Sequence, residues 1–421
     1  MPATALLDDP QKHLSLEELA GEHGSAGDDA ALSELLVSIR RHLHRNPEVG
    51  MQEHETSHFI RETLASYGLD VHGPVAETGC WVDIEGSAHG SANGRSAGPR
   101  VGYRADIDAL PMQDAKSVSY HSRNDGVAHL CGHDAHAAVA VGVALLLHAR
   151  RARLPGGARV FFQPNEESVP SGAPLMIEEG VLDGLEAVYA MHAAPGLEAG
   201  RYGLKTGPVT AASDQFEATV RGQGSGHSAR PHEGVDTVWL AHQIIQSFYQ
   251  LAGRISDARH PAVLTVCRMA GSSAHNVIPP AASFGGTLRT IDAEDRTFLR
   301  EKMRRVAEET AALHGGSADL DLVIGAPPVV NDERAVETAR QAVTERFGEE
   351  AVYDIPKTSM GAEDFAYYLR EVPGALIRVG TQSGPDTRYP LHDTRFDLDE
   401  GVLAPTARLM ADLLETRLRE G

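Results

Sequence analysis

Hydrophobic positions recur along the chain at two different spacings, and each spacing predicts one kind of secondary structure. Apolar residues from Leu32 to Leu43 repeat at helical spacing, which predicts an amphipathic helix that ends near Asn46-Pro47. Residues 137–147 form an almost wholly apolar run, which predicts a helix buried in the core. Short apolar stretches bounded by turn residues, such as residues 159–163, predict buried strands.

Two helices and two strands are predicted first, and from residue 100 to residue 191 the predicted strands and helices alternate. Alternation of this kind is typical of an α/β sheet with helices on its faces. Helices are predicted near residues 32–46, 55–67, 137–147 and 173–179, and strands at residues 80–84, 100–105, 159–163 and 187–191.

The pattern changes near residue 209 and changes back near residue 326. Between these points the predicted order is strand, helix, strand, strand, helix, strand (βαββαβ), which is typical of a ferredoxin-like unit. After residue 326 the alternation resumes, and a last helix is predicted at residues 400–417. The sequence therefore predicts an α/β domain in two parts, residues 31–208 and 326–421, with a small domain inserted at residues 209–325.

Composition and charge exclude several classes of partner. The 421 residues exceed what one hydrophobic core usually supports, and 38 Lys and Arg against 59 Asp and Glu give a formal net charge of −21. Such a charge repels phosphate backbones and anionic lipids, so we expect neither nucleic acid nor a membrane as a partner.

The three cysteines are an odd and sparse set, which favours a reducing, cytoplasmic location. Residues 1–30 are expected to be irregular, without the apolar core of a secretory signal.

The richest cluster of candidate metal ligands lies at residues 129–136, HLCGHDAH, where a turn is expected to enter the buried helix. Cys131 can bind a divalent metal as a thiolate and His133 through an imidazole nitrogen, while Gly132 lets the backbone bend between them. The alternative is that these polar residues only cap the start of a helix. The motif alone leaves both interpretations open.

Further acidic and histidine side chains follow predicted strands. Ligands bind beyond the carboxyl ends of the strands in an open α/β sheet, so these residues are expected to converge with the cysteine motif in one crevice. Each of them taken singly has an ordinary alternative interpretation. An aspartate at a strand end usually caps a neighbouring backbone N–H, adjacent glutamates are usually solvated, and a histidine usually hydrogen-bonds within the protein. The residues are Asp106, Asp108, Glu166, Glu167, His192 and His392.

Glu166 and Glu167 are adjacent, and adjacent side chains on an extended or turning backbone point in different directions. One carboxylate can therefore bind a metal while the other faces a substrate. Hydrolysis of an amide needs a base that takes a proton from water and an acid that protonates the leaving amine, and one carboxyl group can do both.

Ten motifs in a fixed order carry a resemblance to a known family. They are HRNPEVGMQEHETS, YRADIDALP, CGHDAH, FQPNEE, MHAAPG, GHSARPHEGVD, NVIPP, GTLRT, GAEDFAYYL and YPLHDTRFD. In this order they resemble the amidohydrolase branch of the two-metal aminoacylase and carboxypeptidase family, which includes hippurate hydrolases, indole-acetyl-amino-acid hydrolases and N-acetyldiaminopimelate deacetylases. The resemblance implies a catalytic α/β domain interrupted by a ferredoxin-like lid that commonly dimerises. It implies metal ligands at Cys131, His133, Glu167, His192 and His392, and Glu166 as the general base.

Three lid positions resemble family residues that lie near the substrate. His227, in SGHSA, matches a histidine thought to polarise the scissile carbonyl, and Asn276 and Arg289 match residues near the substrate carboxylate. For Arg289 the alternative is a surface arginine at a strand end. In the catalytic domain, the resemblance implies that Asp108 supports a metal-bound histidine. The carboxypeptidase branch has a histidine about where Asp106 stands, so Asp106 is not expected to be a ligand.

The function implied by the resemblance is hydrolysis of the amide bond of an N-acyl amino acid, a small-molecule substrate. The implied cofactors are two divalent ions, with Mn or Zn expected and Co or Ni as alternatives, and the implied assembly is a homodimer formed through the lid. Leu130, Asn165 and Ser168 depart from the common family pattern, as does an extra N-terminal segment of about 30 residues. These departures leave the choice of substrate open.

Three alternative hypotheses remain at this point. The first is peptide hydrolysis at the same two-metal site, as in dipeptidases and carboxypeptidases. The second is a metal-free cysteine amidase, with Cys131 as nucleophile and His133 as base, which leaves Glu167 and the two later histidines without a role. The third is a structural or metal-storage dimer, which leaves Glu166 without a role.

Overall fold

The computed structural model describes residue 15 and residues 26–87, 91–92, 95–96, 98–223 and 226–420. Most of the irregular segment predicted at residues 1–30 lies outside these ranges. The α-helices of the described residues are α1 (Ala26–Arg45), α2 (His54–Ser66), α3 (His133–Arg150), α4 (Gly172–Glu178), α5 (Thr237–Gln250), α6 (Ala293–Leu313), α7 (Glu333–Phe347), α8 (Ala366–Glu371) and α9 (Leu403–Glu420).

The strands of three or more residues are β1 (Val71–Val75), β2 (Gly79–Glu85), β3 (Arg100–Asp106), β4 (Gly157–Gln163), β5 (Ala187–Glu198), β6 (Tyr202–Leu204), β7 (Ala212–Arg221), β8 (Ala262–Ala270), β9 (Ala281–Thr290), β10 (Ser317–Ile324), β11 (Val352–Asp354) and β12 (Gly374–Gln382). Two-residue strands lie at Ser91–Ala92, Arg95–Ser96, Gly207–Pro208, Gly226–His227, Val277–Ile278 and Val330–Asn331. The chain is therefore a mixed α/β protein, as the alternating pattern predicts.

The chain divides into two compact units. The first contains the described residues up to Gly207, together with Val330–Pro356 and residues 367–420. The second contains Pro208–Val329 and Lys357–Ala366. The second unit thus includes a short segment that the chain reaches only after it has returned to the first.

The first unit is built on an eight-stranded mixed sheet in the order β1-β2-β4-β3-β5-β12-β6-β11. The four central strands, β4, β3, β5 and β12, run parallel to one another. All seven residues of β4 are buried, which is usual for a parallel strand covered on both faces. Because parallel strands end on the same side, the segments that follow them are brought to one edge of the sheet.

Helix α3 lies at the centre of the first unit. Its side chains from His133 to Leu147 are buried, since Asp134 is the only formally charged residue in that stretch and a helix that is apolar all round belongs in a core. An added Cβ at Gly142 would lie 2.9 Å from the Cβ of Ala407 and 3.0 Å from a methyl carbon of Leu36. Close packing against α1 and α9 therefore fixes α3, and with it the position of its first turn.

The second unit contains an antiparallel sheet in the order β8-β9-β7-β10, against which α5 and α6 pack. Its elements follow one another along the chain as βαββαβ. Asp236 and Asp292 begin the two helices by accepting backbone N–H groups of the first turn. The rings of Phe216, Phe248 and Phe284 meet edge to face in the core, with centroids 5.8 to 6.4 Å apart.

The structure corrects several predicted element boundaries. The prediction omits β1, whose sequence VHGPV contains glycine and proline at a sheet edge, and it omits the three-residue strands β6 and β11. It ends a strand at Met191, whereas β5 continues to Glu198, so His192 lies inside the strand and not after it. The Pro195-Gly196 pair suggests a break, but an irregularity in the pairing with β12 accommodates it.

No helix among the described residues is both long enough and apolar enough to cross a membrane.

Candidate metal centre

The turn before α3 places Cys131 and His133 next to each other in space. Gly132 has a φ of +91°, a left-handed conformation that favours glycine, and it stands immediately before the first residue of the helix. An added Cβ at Gly132 would also lie 3.0 Å from the Cβ of Ala193 on β5. The close approach of this turn to β5 brings the cysteine and the histidine to the strand that carries His192.

Three buried donor atoms meet at this point. The Sγ atom of Cys131 lies 3.7 Å from Nε2 of His192. With a ring nitrogen of His133, these atoms lie within 4.8 Å of one another. A sulfur and two imidazole nitrogens at this separation can surround one divalent ion.

Glu167 extends the cluster toward the loop that follows β12. Its Oε1 atom lies 3.2 Å from Nε2 of His392 and 3.9 Å from Nε2 of His133. The backbone N–H of His392 donates to the carbonyl oxygen of Leu130 at 2.8 Å, which ties the late histidine to the cysteine turn. The structure therefore brings together, in overlapping groups of donor atoms, Cys131, His133, Glu166, Glu167, His192 and His392.

Asp108 holds two members of the cluster. Its side chain and its carbonyl oxygen both lie at hydrogen-bond distance from Nδ1 of His133, at 3.1 and 3.0 Å. Its other carboxylate oxygen accepts the backbone N–H of Glu167 at 3.0 Å. With the proton of His133 on Nδ1, Nε2 is free to bind a cation.

Two buried polar atoms of the cluster fit a metal ion. Nε2 of His133 has no hydrogen-bond partner among the described residues, and Oε1 of Glu167 has none there other than Nε2 of His392. A buried polar atom without a partner is costly, whereas an imidazole nitrogen and a carboxylate oxygen are ordinary ligands of divalent ions. The donor chemistry of this chain therefore suits such an ion.

Asp106 and His136, although close by, are already engaged with other groups. One oxygen of Asp106 accepts from Arg104 at 2.6 Å, and the other lies 2.6 Å from Nδ1 of His136. Arg104 in turn donates from Nε to Gln163 at 2.8 Å. Asp106 thus lies between a guanidinium group and an imidazole, and that it is not a ligand stays a prediction.

The remaining histidine of the HLCGHDAH motif, His129, does not belong to the cluster. Neither of its ring nitrogens has a hydrogen-bond partner among the described residues, and burial lowers its pKa to about 3. Only one of the three histidines in this motif therefore offers a nitrogen to the cluster.

The surroundings of the cluster set the charge of its members. Burial raises the pKa of the Cys131 thiol well above its ordinary value, and the charge of Glu167 acts in the same direction. Burial lowers the pKa of His192, which keeps its imidazole neutral. The hydrogen bond with Glu167 raises the pKa of His392. Reactive cysteines have lowered pKa values, so the raised value of Cys131 counts against a metal-free cysteine amidase.

The lid candidates His227, Asn276 and Arg289 belong to the second unit. His227 is exposed, and its Nδ1 accepts the backbone N–H of Ala229 at 3.1 Å. The backbone of Asn276 is adjacent, because its carbonyl oxygen accepts the N–H of Ser228 at 3.1 Å. Arg289 donates to the carbonyl oxygen of Met360 at 3.0 Å.

The second unit does not bring all three lid candidates together. Asn276 precedes the start of β9, whereas Arg289 lies next to the last residue of that strand. At about 3.3 Å per residue, the strand extends roughly 26 Å from Ala281 to Arg289. His227 and Asn276 therefore form one group, and Arg289 stands apart.

Among the residues that hold the cluster from outside, sequence reasoning missed Glu53 and Arg104, and it gave no role to Asp106 or His136. Glu53 accepts hydrogen bonds from two distant segments, and Arg104, Asp106 and His136 form a buried chain behind His133. The sequence signal for this buried chain of hydrogen bonds is a pair of opposite charges, Arg104 and Asp106, on a strand whose other residues, apart from Arg100, are uncharged. Glu53 has no such signal.

The donors are buried at Cys131, His133 and His192, half-buried at Glu167 and exposed at His392. Such a set of sulfur, nitrogen and oxygen donors beside the parallel strands of a mixed sheet, with a second carboxylate next to it, defines a metal-dependent hydrolase. Comparison with protein families agrees. Residues 102–416 match the family described as peptidase family M20/M25/M40. The chain belongs to this family.

Individual relatives span nearly the whole chain. The chain is 38% identical over 374 residues to N-acetyl-L-cysteine deacetylase of Bacillus subtilis, covering 89% of this chain and 86% of the relative. It is 34% identical over 389 residues to IAA-amino acid hydrolase ILR1-like 2 of Arabidopsis thaliana, covering 91% and 85%. The crystal structure of the YXEP protein of Bacillus subtilis, a dinuclear metal binding peptidase of the M20 family, superposes with a TM-score of 0.79 at 34% identity, covering 93% of this chain and 99% of that one. The predicted family and the predicted class, a metal-dependent amidohydrolase, are confirmed.

Proposed function

We propose that this amidohydrolase cleaves the amide bond of N-acyl amino acids and releases a carboxylic acid and a free amino acid. The observation that carries the proposal is the position of the adjacent Glu166 and Glu167 beside His133, which offers one carboxylate as a ligand and one as a base. Relatives named for deacetylation of N-acetyl-L-cysteine and for hydrolysis of an IAA-amino acid support the same reaction here.

The proposal includes two divalent ions, held by Cys131, His133, Glu167, His192 and His392. The donor set of one thiolate, three imidazoles and one carboxylate suits Mn or Zn, with Co or Ni as alternatives. When bound, the ions polarise the substrate carbonyl and make water more acidic. Asp108 keeps His133 in the tautomer that such binding requires.

The chain's own side chains would move the protons and stabilise charge. Glu166 takes a proton from the attacking water and later delivers it to the leaving nitrogen, so that one carboxyl group serves both steps. His227 donates a hydrogen bond to the carbonyl oxygen as negative charge develops on it. Asn276 and Arg289 would bind the carboxylate of the amino-acid part.

We propose that the second unit is a ferredoxin-like lid and dimerisation domain, within the predicted limits 209–325. Its βαββαβ order supports the first part of this proposal. The separation of His227 from Arg289 supports the dimerisation part. In a homodimer one subunit can supply His227 and the other Arg289, so both ends of the lid sheet can reach one substrate. A cytoplasmic location remains a proposal that rests on the odd, sparse set of cysteines.

A substrate panel tests the proposed reaction. The protein is stripped of metal with a chelator, reloaded separately with Mn, Zn, Co or Ni, and assayed on N-acetyl, N-benzoyl, long-chain acyl and indole-acetyl amino acids and on dipeptides. We expect no activity after stripping, restoration by at least one ion, and faster hydrolysis of an acyl amino acid than of any dipeptide. Full activity in a sample shown by elemental analysis to be metal-free would overturn the metal-dependent mechanism. A preference for dipeptides would assign the chain to peptide hydrolysis.

A further inference from the structure

Glu53 is a fully buried carboxylate that connects two distant segments of the first unit. It stands immediately before α2, and one of its oxygens accepts the hydroxyl of Thr78 at 2.7 Å. Its other oxygen accepts the backbone N–H of Asn165 at 2.9 Å. Asn165 immediately precedes the Glu166-Glu167 pair, so this second hydrogen bond reaches the loop on which the proposed function depends.

The backbone of Asn165 is in an unusual conformation. Its φ of +53° lies in the left-handed region, which residues other than glycine seldom adopt without support. Asn165 makes two hydrogen bonds besides the one to Glu53. Its side-chain amide donates to the carbonyl oxygen of Pro170 at 2.8 Å, and its backbone carbonyl oxygen accepts the N–H of Gly172 at 2.9 Å. The direction of the peptide that leads into Glu166 therefore depends on how Asn165 is held.

Glu167 has a backbone hydrogen bond that does not involve Asn165. The backbone N–H of Glu167 donates to Asp108 at 3.0 Å, so its position is fixed independently of Asn165. Glu166 lies in the sequence between Asn165, whose N–H donates to Glu53, and Glu167, whose N–H donates to Asp108. A change at Glu53 should consequently alter the orientation of Glu166 more than that of Glu167.

We propose that Glu53 is a positioning residue for the general base: it holds Asn165 in the left-handed conformation and so directs the Glu166 carboxylate toward the substrate. This inference rests on the proposed function of Glu166. Glu53 holds Asn165 through the length of its side chain and its ability to accept a hydrogen bond, and its charge is not needed. A glutamine at this position retains both bonds, because its carbonyl oxygen accepts from Asn165 and its amide donates to the Thr78 hydroxyl, which also accepts.

Two substitutions separate reach from charge. Glu53→Gln keeps the reach and loses the charge, whereas Glu53→Asp keeps the charge and shortens the side chain by one methylene. We expect Glu53→Gln to have a kcat within about twofold of the wild type, and Glu53→Asp to lose about tenfold to 10²-fold in kcat with KM unchanged, the usual cost of displacing a catalytic group by about 1 Å. Metal content, measured by elemental analysis after loading, should equal that of the wild type in both.

Thr78→Val is the matched control, because it removes the other hydrogen bond of Glu53 and leaves the bond to Asn165. We expect it to lower the melting temperature without changing kcat. Hydrogen exchange of the peptide that contains residues 164–168, followed by mass spectrometry in the metal-free proteins, provides a readout other than activity. We expect the Asn165 amide to exchange faster in Glu53→Asp and at the wild-type rate in Glu53→Gln and Thr78→Val.

Wild-type turnover and exchange in Glu53→Asp would overturn the proposal, and so would an equal loss of kcat in Glu53→Gln or Thr78→Val. Glu166→Gln is assayed beside these variants to distinguish this proposal from the proposed function. If Glu166→Gln is as active as the wild type, the assignment of the base is wrong and the positioning proposal falls with it. If Glu166→Gln is inactive while Glu53→Asp is fully active, the base assignment stands and only the role of Glu53 is wrong.

Discussion

Nε2 of His136 accepts the backbone N–H of Ala193 at 3.0 Å, which joins the first turn of α3 to the strand that carries His192. A nitrogen that accepts a hydrogen bond carries no proton, so the proton of the neutral ring lies on Nδ1 and is donated to Asp106. Both ring nitrogens of His136 are thereby used by the protein. His136 therefore supports the neighbour of a proposed ligand and is not available to a metal itself.

Removing this support should weaken metal binding. His136→Ala leaves the Ala193 N–H without its acceptor and frees the strand beside His192, so we expect the affinity for divalent ions to fall about 10- to 100-fold. Titration calorimetry with the metal-stripped protein measures the change. His148→Ala, on the partly buried last turn of the same helix, is the control and should bind ions as the wild type does. An unchanged affinity in His136→Ala would contradict the role given to this hydrogen bond.

The adjacent glutamates should respond differently to the same substitution. Glu167→Gln removes a charged oxygen from the proposed ligand set, so metal occupancy should fall and excess ion should restore part of the activity. Glu166→Gln removes no proposed ligand, so occupancy should stay constant while kcat falls about 10²- to 10⁴-fold. Metal content and kcat are measured together for both variants. The reverse pattern would exchange the two roles, and retention of metal and activity by both would remove the pair from the site.

His227 should matter for turnover and not for metal binding. If it donates a hydrogen bond to the carbonyl oxygen in the transition state, His227→Ala should keep its metal and lose about 10²- to 10³-fold in kcat. The exposed His232, five residues later on the same segment, provides the comparison, since His232→Ala should leave kcat unchanged. A wild-type kcat in His227→Ala would make this histidine an ordinary surface residue.

Glu53 should make stability depend on pH. Burial raises the pKa of Glu53 from 4.5 to about 7, and the nearby charge of Asp108 adds to the effect. Between these two pH values the folded protein binds more protons at this site than the unfolded chain does, so the free energy of unfolding decreases as pH rises. The stability contributed by this group is therefore complete below pH 4.5 and lost above about pH 7.

Comparison with Glu53→Gln isolates the contribution of Glu53 together with its interaction with Asp108, because groups that do not interact with Glu53 titrate alike in both proteins. Relative to the variant, the wild type should lose about 3 kcal/mol of unfolding free energy between pH 4.5 and pH 7.5. Urea unfolding of the metal-stripped proteins at several pH values measures the difference. A difference that does not vary with pH would mean that Glu53 does not titrate in this range.

The sequence determines those features of this protein that depend on neighbouring residues. The apolar run at residues 137–147 can only be satisfied inside a core, and it forms the buried part of α3 as predicted. The order of ten motifs identifies the family, which the match over residues 102–416 confirms. Periodicity fails where an element is too short or interrupted, as at β6, at β11 and at the Pro195-Gly196 pair within β5.

The tertiary structure decides which polar groups meet, because a hydrogen bond depends on positions in space and not on separation along the chain. From the sequence, His133 and His136 are two similar histidines on one helix, and Asp106 and Asp108 are two similar aspartates after one strand. In the folded chain Asp108 turns Nε2 of His133 toward the cluster, whereas Asp106 and Ala193 occupy both nitrogens of His136. Glu53 and Asn165 are separated by 112 residues, and only the packing of α2 beside the loop after β4 makes them partners.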